Sequence, residues 1–128
     1  MHKLGSDTGI VIVDHGSRRA EANAMLKRVA KLYAAETGVS NVCYAHMELA
    51  GPSIEQAIAQ CIEAGAKTVV LSLFLLSPGR HSKEDIPRLA AEAEAHHEGV
   101  RVLVSAPMGV DEKLVVVLHN RVLETLEE

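Results

Sequence analysis

Two stretches of this chain are apolar with almost no polar alternation: Gly9 to Val13, and the longer Lys67 to Leu75, which contains Val69-Val-Leu-Ser-Leu-Phe-Leu75. A strand with one face in water alternates polar and apolar residues. A strand covered on both faces does not, and that is the signature of a parallel sheet sandwiched between helices. Between the two runs the period changes. Ala22, Met25, Leu26, Val29, Leu32 and Tyr33 recur at helical spacing and Gly38 is placed to stop that helix, so strand and helix alternate from the start.

The rest of the chain keeps the alternation. Asn41 to Ala45 reads as a second strand. Ser53 followed by Gln56 has the spacing of a capping box, opening a helix whose inner face is Ile54, Ala57, Ile58, Cys61 and Ile62. A third helix is expected from Asp85-Ile-Pro87, where a proline is tolerated in the first turn, to about His97. Val100 to Val104 is the fourth strand. Asp111 to about Leu126 is the fourth helix, with Leu114, Leu118 and Val122 expected to face inward. The fold class is therefore α/β: a four-stranded parallel sheet of expected order 2-1-3-4, helices on both faces, and right-handed crossovers. At 128 residues one domain, 1–128, accounts for the whole chain.

In that strand order strands 1 and 3 are neighbours at the switch point, where ligands meet the carboxyl ends of strands. Strand 1 runs into Asp14-His-Gly-Ser-Arg-Arg19, and strand 3 into Ser77-Pro-Gly-Arg-His-Ser-Lys83. Each delivers an imidazole, His15 and His81, and adjacent strands lie about 4.8 Å apart. Two imidazoles at one cleft can hold a divalent transition metal or act as bases near neutral pH, and Glu48 after strand 2 can add a carboxylate. Hydrogen bonding at loop ends would serve equally well as a reason for these residues, since no HxxxH or HExxH pattern ties them together. Arg18, Arg19, Arg80 and Lys83, with Ser17 and the backbone amides of the glycine-containing turns, read as an anion site or as solvated loop tips. His46 is expected to be structural, and His96 and His97 to sit at a helix end.

Composition narrows the partners. There is no Trp, one Phe and two Tyr, and the net charge is -4, which leaves no stacking platform or basic groove for nucleic acid. A local basic cluster on an acidic chain still accommodates an anionic small molecule. Cys43 and Cys61 lack CxxC spacing and read as reduced packing residues. The polar Met1 to Thr8 has no signal-peptide core and no run reaches membrane-span length, so the expected location is the cytoplasm, or an organelle stroma after loss of a transit peptide.

Asp14-His-Gly-Ser-Arg-Arg-Ala-Glu-Ala-Asn23, His46-Met-Glu-Leu-Ala-Gly-Pro-Ser-Ile54, Ser77-Pro-Gly-Arg-His-Ser-Lys-Glu-Asp-Ile-Pro87 and Ala106-Pro-Met-Gly109 together resemble the short, single-domain class II tetrapyrrole chelatases, above all the sirohydrochlorin ferrochelatases of plants and related bacteria. The resemblance implies a flavodoxin-like half-domain that inserts Fe2+ into sirohydrochlorin to give siroheme, working as a homodimer whose subunits face each other across the ring. It implies that His15 and His81 bind the metal substrate and act catalytically, with Glu48 assisting, and that Ser17, Arg18, Arg19, Arg80 and Lys83 bind the tetrapyrrole. Plant members carry a cysteine-bearing extension that can hold an iron-sulfur cluster. This chain ends at Glu128 without it, so no cluster and no tightly bound cofactor are expected. A cobalt- or nickel-inserting relative is the nearest alternative. A histidine phosphatase would need Arg where Asp14 stands, and a non-catalytic α/β binding module would leave the two imidazoles unexplained.

Overall fold

The structure, a computed structural model, describes residues 3–77 and 79–127, and of residues 80–82 the backbone alone. The elements alternate as β1 (Thr8–Asp14), α1 (Ala20–Thr37), β2 (Val42–His46), α2 (Ile54–Glu63), β3 (Thr68–Leu73), α3 (Arg80–His96), β4 (Arg101–Val104) and α4 (Glu112–Glu127). All strand pairs are parallel and the order is β2-β1-β3-β4, as the apolar runs require.

Register divides the side chains of each strand between two faces. Val11, Val13, Val69 and Leu71 face α2 and α3, where Ala57, Ile58, Cys61, Ile86 and Ala90 complete the larger core. Ile10 and Ile12 face α1 and meet Leu26 and Ala30. These strand residues are essentially inaccessible, which removes the need for polar alternation. Gly9 is one place where the close approach is steric: a Cβ there would stand 3.0 Å from the Cβ of Cys61, so only glycine lets α2 pack this tightly on β1. The capping box is formed, with Gln56 N–H donating to Ser53 Oγ at 3.1 Å and Ser53 N–H to Gln56 Oε1 at 2.9 Å. Gly38 closes α1 in the left-handed region at φ 76°.

Two expectations fail. Helix α3 starts at Arg80, not Asp85, with Gly79 as its N-cap, and Pro87 lies inside it. Proline removes one backbone donor, but Pro87 is on the solvent side, where water can satisfy the Lys83 carbonyl it leaves without an intrahelical partner. His81 therefore belongs to the first turn of a helix. The second failure is α4. Leu114 is half-buried, but Leu118 and Val122 are 66% and 51% exposed, and among the described residues no α4 Cα comes within 8 Å of another helix or strand. An apolar stripe says that a helix must be covered; it does not say by what. On the sheet, Leu103 of β4 is also open, beside Val70 on the face that α1 covers only over β1 and β2.

Candidate active site

The carboxyl ends of β1, β2 and β3 converge because the backbone keeps pairing after the strands end. Met47 N–H donates to Asp14 O at 2.9 Å and Glu48 N–H to His15 O at 3.1 Å, so the β2 loop runs alongside the β1 loop. Phe74 N–H donates to Val13 O at 2.7 Å, which brings the start of the β3 loop to the other side. Gly16 makes the first of these approaches possible. Its φ is +90°, and a Cβ there would come within 1.9 Å of the Glu48 carbonyl oxygen. Any other residue would drive the two loops apart.

Beneath the loops sits a hydrogen-bonded pair that the sequence did not reveal as a pair. His46 is 2% exposed and its Nδ1 lies 2.6 Å from Asp14 Oδ1, the same oxygen that accepts the Gly16 N–H at 3.0 Å. Asp14 and His46 are register partners across β1 and β2, so the pairing is fixed by the sheet. The expectation of a structural role for His46 holds, with a consequence: its ring anchors the carboxylate that shapes the Gly16 turn. Asn23 does a similar job from α1. Its side chain accepts from Ser17 N–H at 2.9 Å and donates to Ser17 O at 2.7 Å, while Ser17 Oγ accepts from Arg19 N–H at 3.0 Å. The clue to Asn23 was its place in the first turn after the Arg-Arg pair, but its partner could be read only from the fold.

An open cleft of about 440 Å3 lies against these loops, lined by His15, Gly16, Ser17 and Asn23 on one side and by Phe74, Leu75 and Leu76 on the other. The His15 ring is exposed and reaches the β3–α3 turn: a Cβ on Gly79 would be 4.0 Å from His15 Cε1. Gly79 is the N-cap of α3, so His15 stands beside the helix end that carries Arg80 and His81. The side chains of Arg80 and His81 lie outside the described residues. Glu48 is exposed on the neighbouring loop. Arg18, Arg19 and Lys83 are exposed as well, and among the described residues no carboxylate forms an ion pair with them. Phe74 and Leu76, 40% and 65% exposed, give the cleft an apolar wall for which the sequence reading had no role.

Such a cleft offers the His15 imidazole, the Asp14 carboxylate and an apolar wall, with Arg18 and Arg19 next in the chain to Ser17. Among the described residues no three His, Cys, Asp or Glu side chains converge on a point, as a closed metal cage would require. The arrangement suits a ligand that is broad, anionic and partly apolar. Comparison with known proteins decides the lineage: the family model described as CbiX matches residues 9–125.

The chain belongs to the CbiX family.

Among CbiX relatives, the chain is 46% identical over 123 residues to a protein of Arabidopsis thaliana named sirohydrochlorin ferrochelatase, chloroplastic; the match takes in 96% of this chain and 55% of the plant protein. The chain thus spans about half the length of that relative. It is 31% identical over 118 residues to the sirohydrochlorin cobaltochelatase of Sulfurisphaera tokodaii, covering 92% of this chain and 93% of the other. Of solved structures, the sirohydrochlorin chelatase SirB from Bacillus subtilis subspecies spizizenii, in complex with cobalt, superposes with a TM-score of 0.84 at 27% identity, over 92% of this chain and 50% of SirB. The expected lineage and the half-domain architecture both stand.

Proposed function

We propose that this chain is a single-domain sirohydrochlorin ferrochelatase, a lyase that inserts Fe2+ into sirohydrochlorin to give siroheme. The observation that carries this reading is the meeting of three strand-end loops, with His15 against the N-terminus of α3 and Glu48 drawn alongside by the Gly16 contact. The names of the plant relative and of SirB support the substrate.

Metallation exchanges one divalent ion for two pyrrole N–H protons, so the site must accept two protons while loosely holding the incoming metal. An imidazole does both near neutral pH. In this reading His15 and His81 hold the metal substrate above the ring and take the two pyrrole protons, passing them to solvent, and Glu48 assists in transfer. Loose binding is required, since the ion must leave its protein donors for four ring nitrogens. Arg18, Arg19, Arg80, Lys83 and the Ser17 turn pair with the carboxylates at the ring edge, and charge-assisted contacts of this kind set orientation. Phe74 and Leu76 pack against the macrocycle's face.

One domain covers one face of a wide ring, and the proposal includes a homodimer enclosing the other. Its support is the uncovered apolar surface of α4, with Val115, Val116, Val117, Leu118, Val122, Leu123 and Leu126 all at least 44% exposed. Buried against a second copy, the side chains on one side of α4 would contribute to an interface, for which the standard size is about 1,600 Å2. The reaction belongs in an aqueous compartment, cytoplasm or organelle stroma, and none of the described helices is long and apolar enough to cross a membrane.

The test is anaerobic metallation of sirohydrochlorin followed by absorbance, with Fe2+ and Co2+ in parallel, for the wild type and His15→Ala. Conversion with Fe2+ that falls at least about tenfold in the variant is expected for a lost base and ligand. Faster turnover with Co2+ would favour the cobaltochelatase reading suggested by the Sulfurisphaera relative, and no rate above background with either ion would overturn the assignment.

A further inference from the structure

Away from the cleft, the two cysteines meet. Cys43 lies on β2 and Cys61 on α2, 18 positions apart, and their Sγ atoms are 3.4 Å from each other. The sequence suggested two unrelated packing residues; the fold places them in direct contact because Gly9 lets α2 settle close to the sheet at Cys61. Their environments are unequal. Cys61 is fully buried and its Sγ also faces the Ile10 carbonyl at 3.8 Å, whereas Cys43 is only partly buried.

We infer that Cys43 and Cys61 form a redox modification site that closes reversibly to an intramolecular disulfide on reaction with a low-molecular-weight disulfide. Two observations carry it: the two thiols are already in contact, and one of them, Cys43, is only partly buried. Closure shortens the Sγ–Sγ separation from 3.4 Å to the bonded distance of about 2.0 Å, between elements that already pack together.

The chemistry balances in two steps. The Cys43 thiolate attacks one sulfur of the small disulfide, breaking its S–S bond and releasing one thiolate. The Cys61 sulfur then attacks Cys43 Sγ and its proton passes to the departing second small thiolate, so two cysteine thiols are oxidised and one disulfide is reduced to two thiols. The asymmetry favours this order. A hydrogen bond from Cys61 lowers the Cys43 thiol from its usual 9.0 to about 7, outweighing the opposite effect of burial. Cys61 is pushed strongly upward, chiefly by the hydrogen bond with Cys43, then by burial and by the Cys43 charge. Capping Cys43 removes the neighbouring thiolate charge that opposes ionisation of Cys61. The first step thereby activates the second.

Closure would tie β2 to α2 and enclose residues 43–61 in a covalent ring, and that segment carries His46 and Glu48. The experiment incubates the purified chain with oxidised glutathione at neutral pH, quenches with acid, and combines intact mass, thiol titration in denaturant and peptide mapping. The expected product is a chain lighter by two hydrogens, both thiols lost together, a Cys43–Cys61 cross-linked peptide, and full reversal by dithiothreitol. Cys43→Ser should leave Cys61 as an unreacted thiol in the folded protein. A stable glutathione adduct on Cys43 with Cys61 free, disulfide-linked dimers in place of the internal bond, or no change in mass would each overturn the inference. None of these readouts depends on chelatase activity.

Discussion

Replacing His46 by Phe isolates the buried pair under the cleft. The substitution keeps a ring of similar size, so the edge-to-face contact with Tyr44, 5.9 Å between centroids at 69°, has a successor, and what is lost is the Nδ1 atom 2.6 Å from Asp14 Oδ1. A hydrogen bond to a charged group contributes about 1.5–3 kcal/mol net. The Asp14 side chain is 23% exposed and keeps the Gly16 N–H, so water and backbone recover part of the loss and about 2 kcal/mol of destabilisation is expected. With a urea slope of about 2 kcal/mol/M, the midpoint should fall by about 1 M. A cycle of His46→Phe, Asp14→Asn and the double variant separates the pair from the cavity it occupies. The coupling should be about 1–2 kcal/mol, since the two side chains touch. A single-variant loss under about 0.5 kcal/mol, or strictly additive effects, would refute the claim that this contact shapes the β1 loop.

Gly16→Ala must relieve both an unfavourable φ and a 1.9 Å approach to the Glu48 carbonyl; a loss of at least about 3 kcal/mol and a melting temperature about 10 °C lower are expected by calorimetry. Leu118→Asp with Val122→Asp on α4 should leave the circular dichroism unchanged while abolishing the proposed dimer in sedimentation, because both side chains are more than half exposed and, among the described residues, α4 approaches no other helix or strand. Alkylation of Cys43 by iodoacetamide should rise through a midpoint near 7 as pH increases, against an ordinary thiol near 9.0. The sign follows from the lowered value, which leaves more thiolate at every pH below 9; Cys61→Ala removes the hydrogen bond and should move the midpoint up.

What the sequence made legible was local or periodic. The strand order followed from apolar runs alternating with helical stripes, and the Ser53–Gln56 cap is a four-residue motif whose partners are fixed by the helix itself. The two histidine-bearing segments drew attention because strand ends are where a doubly wound sheet exposes its chemistry, and the structure sets His15 beside the N-terminus of α3. The start of α3 was missed for a related reason: a proline is a strong first-turn signal, and nothing local says that Pro87 sits on the solvent side. The α4 periodicity pointed to an apolar face, but it names no surface to cover that face, and the structure leaves Leu118 and Val122 exposed. Other misses are contacts between distant positions. Asp14 meets His46 and Gly16 meets Glu48 only because β1 and β2 pair in one particular register, Val13 with Ala45 and Asp14 with His46. A shift of one residue would turn His46 to the opposite face of the sheet and carry Glu48 off the Gly16 turn. The same pairing fixes how far Cys43 lies along β2, and so whether it faces Cys61. The loop geometry of the cleft and the contact between the thiols are therefore two consequences of one strand register. A variant that loosens β2 should degrade both together, even though the thiols lie in the packing between β2 and α2 and the cleft beyond the carboxyl ends of the strands.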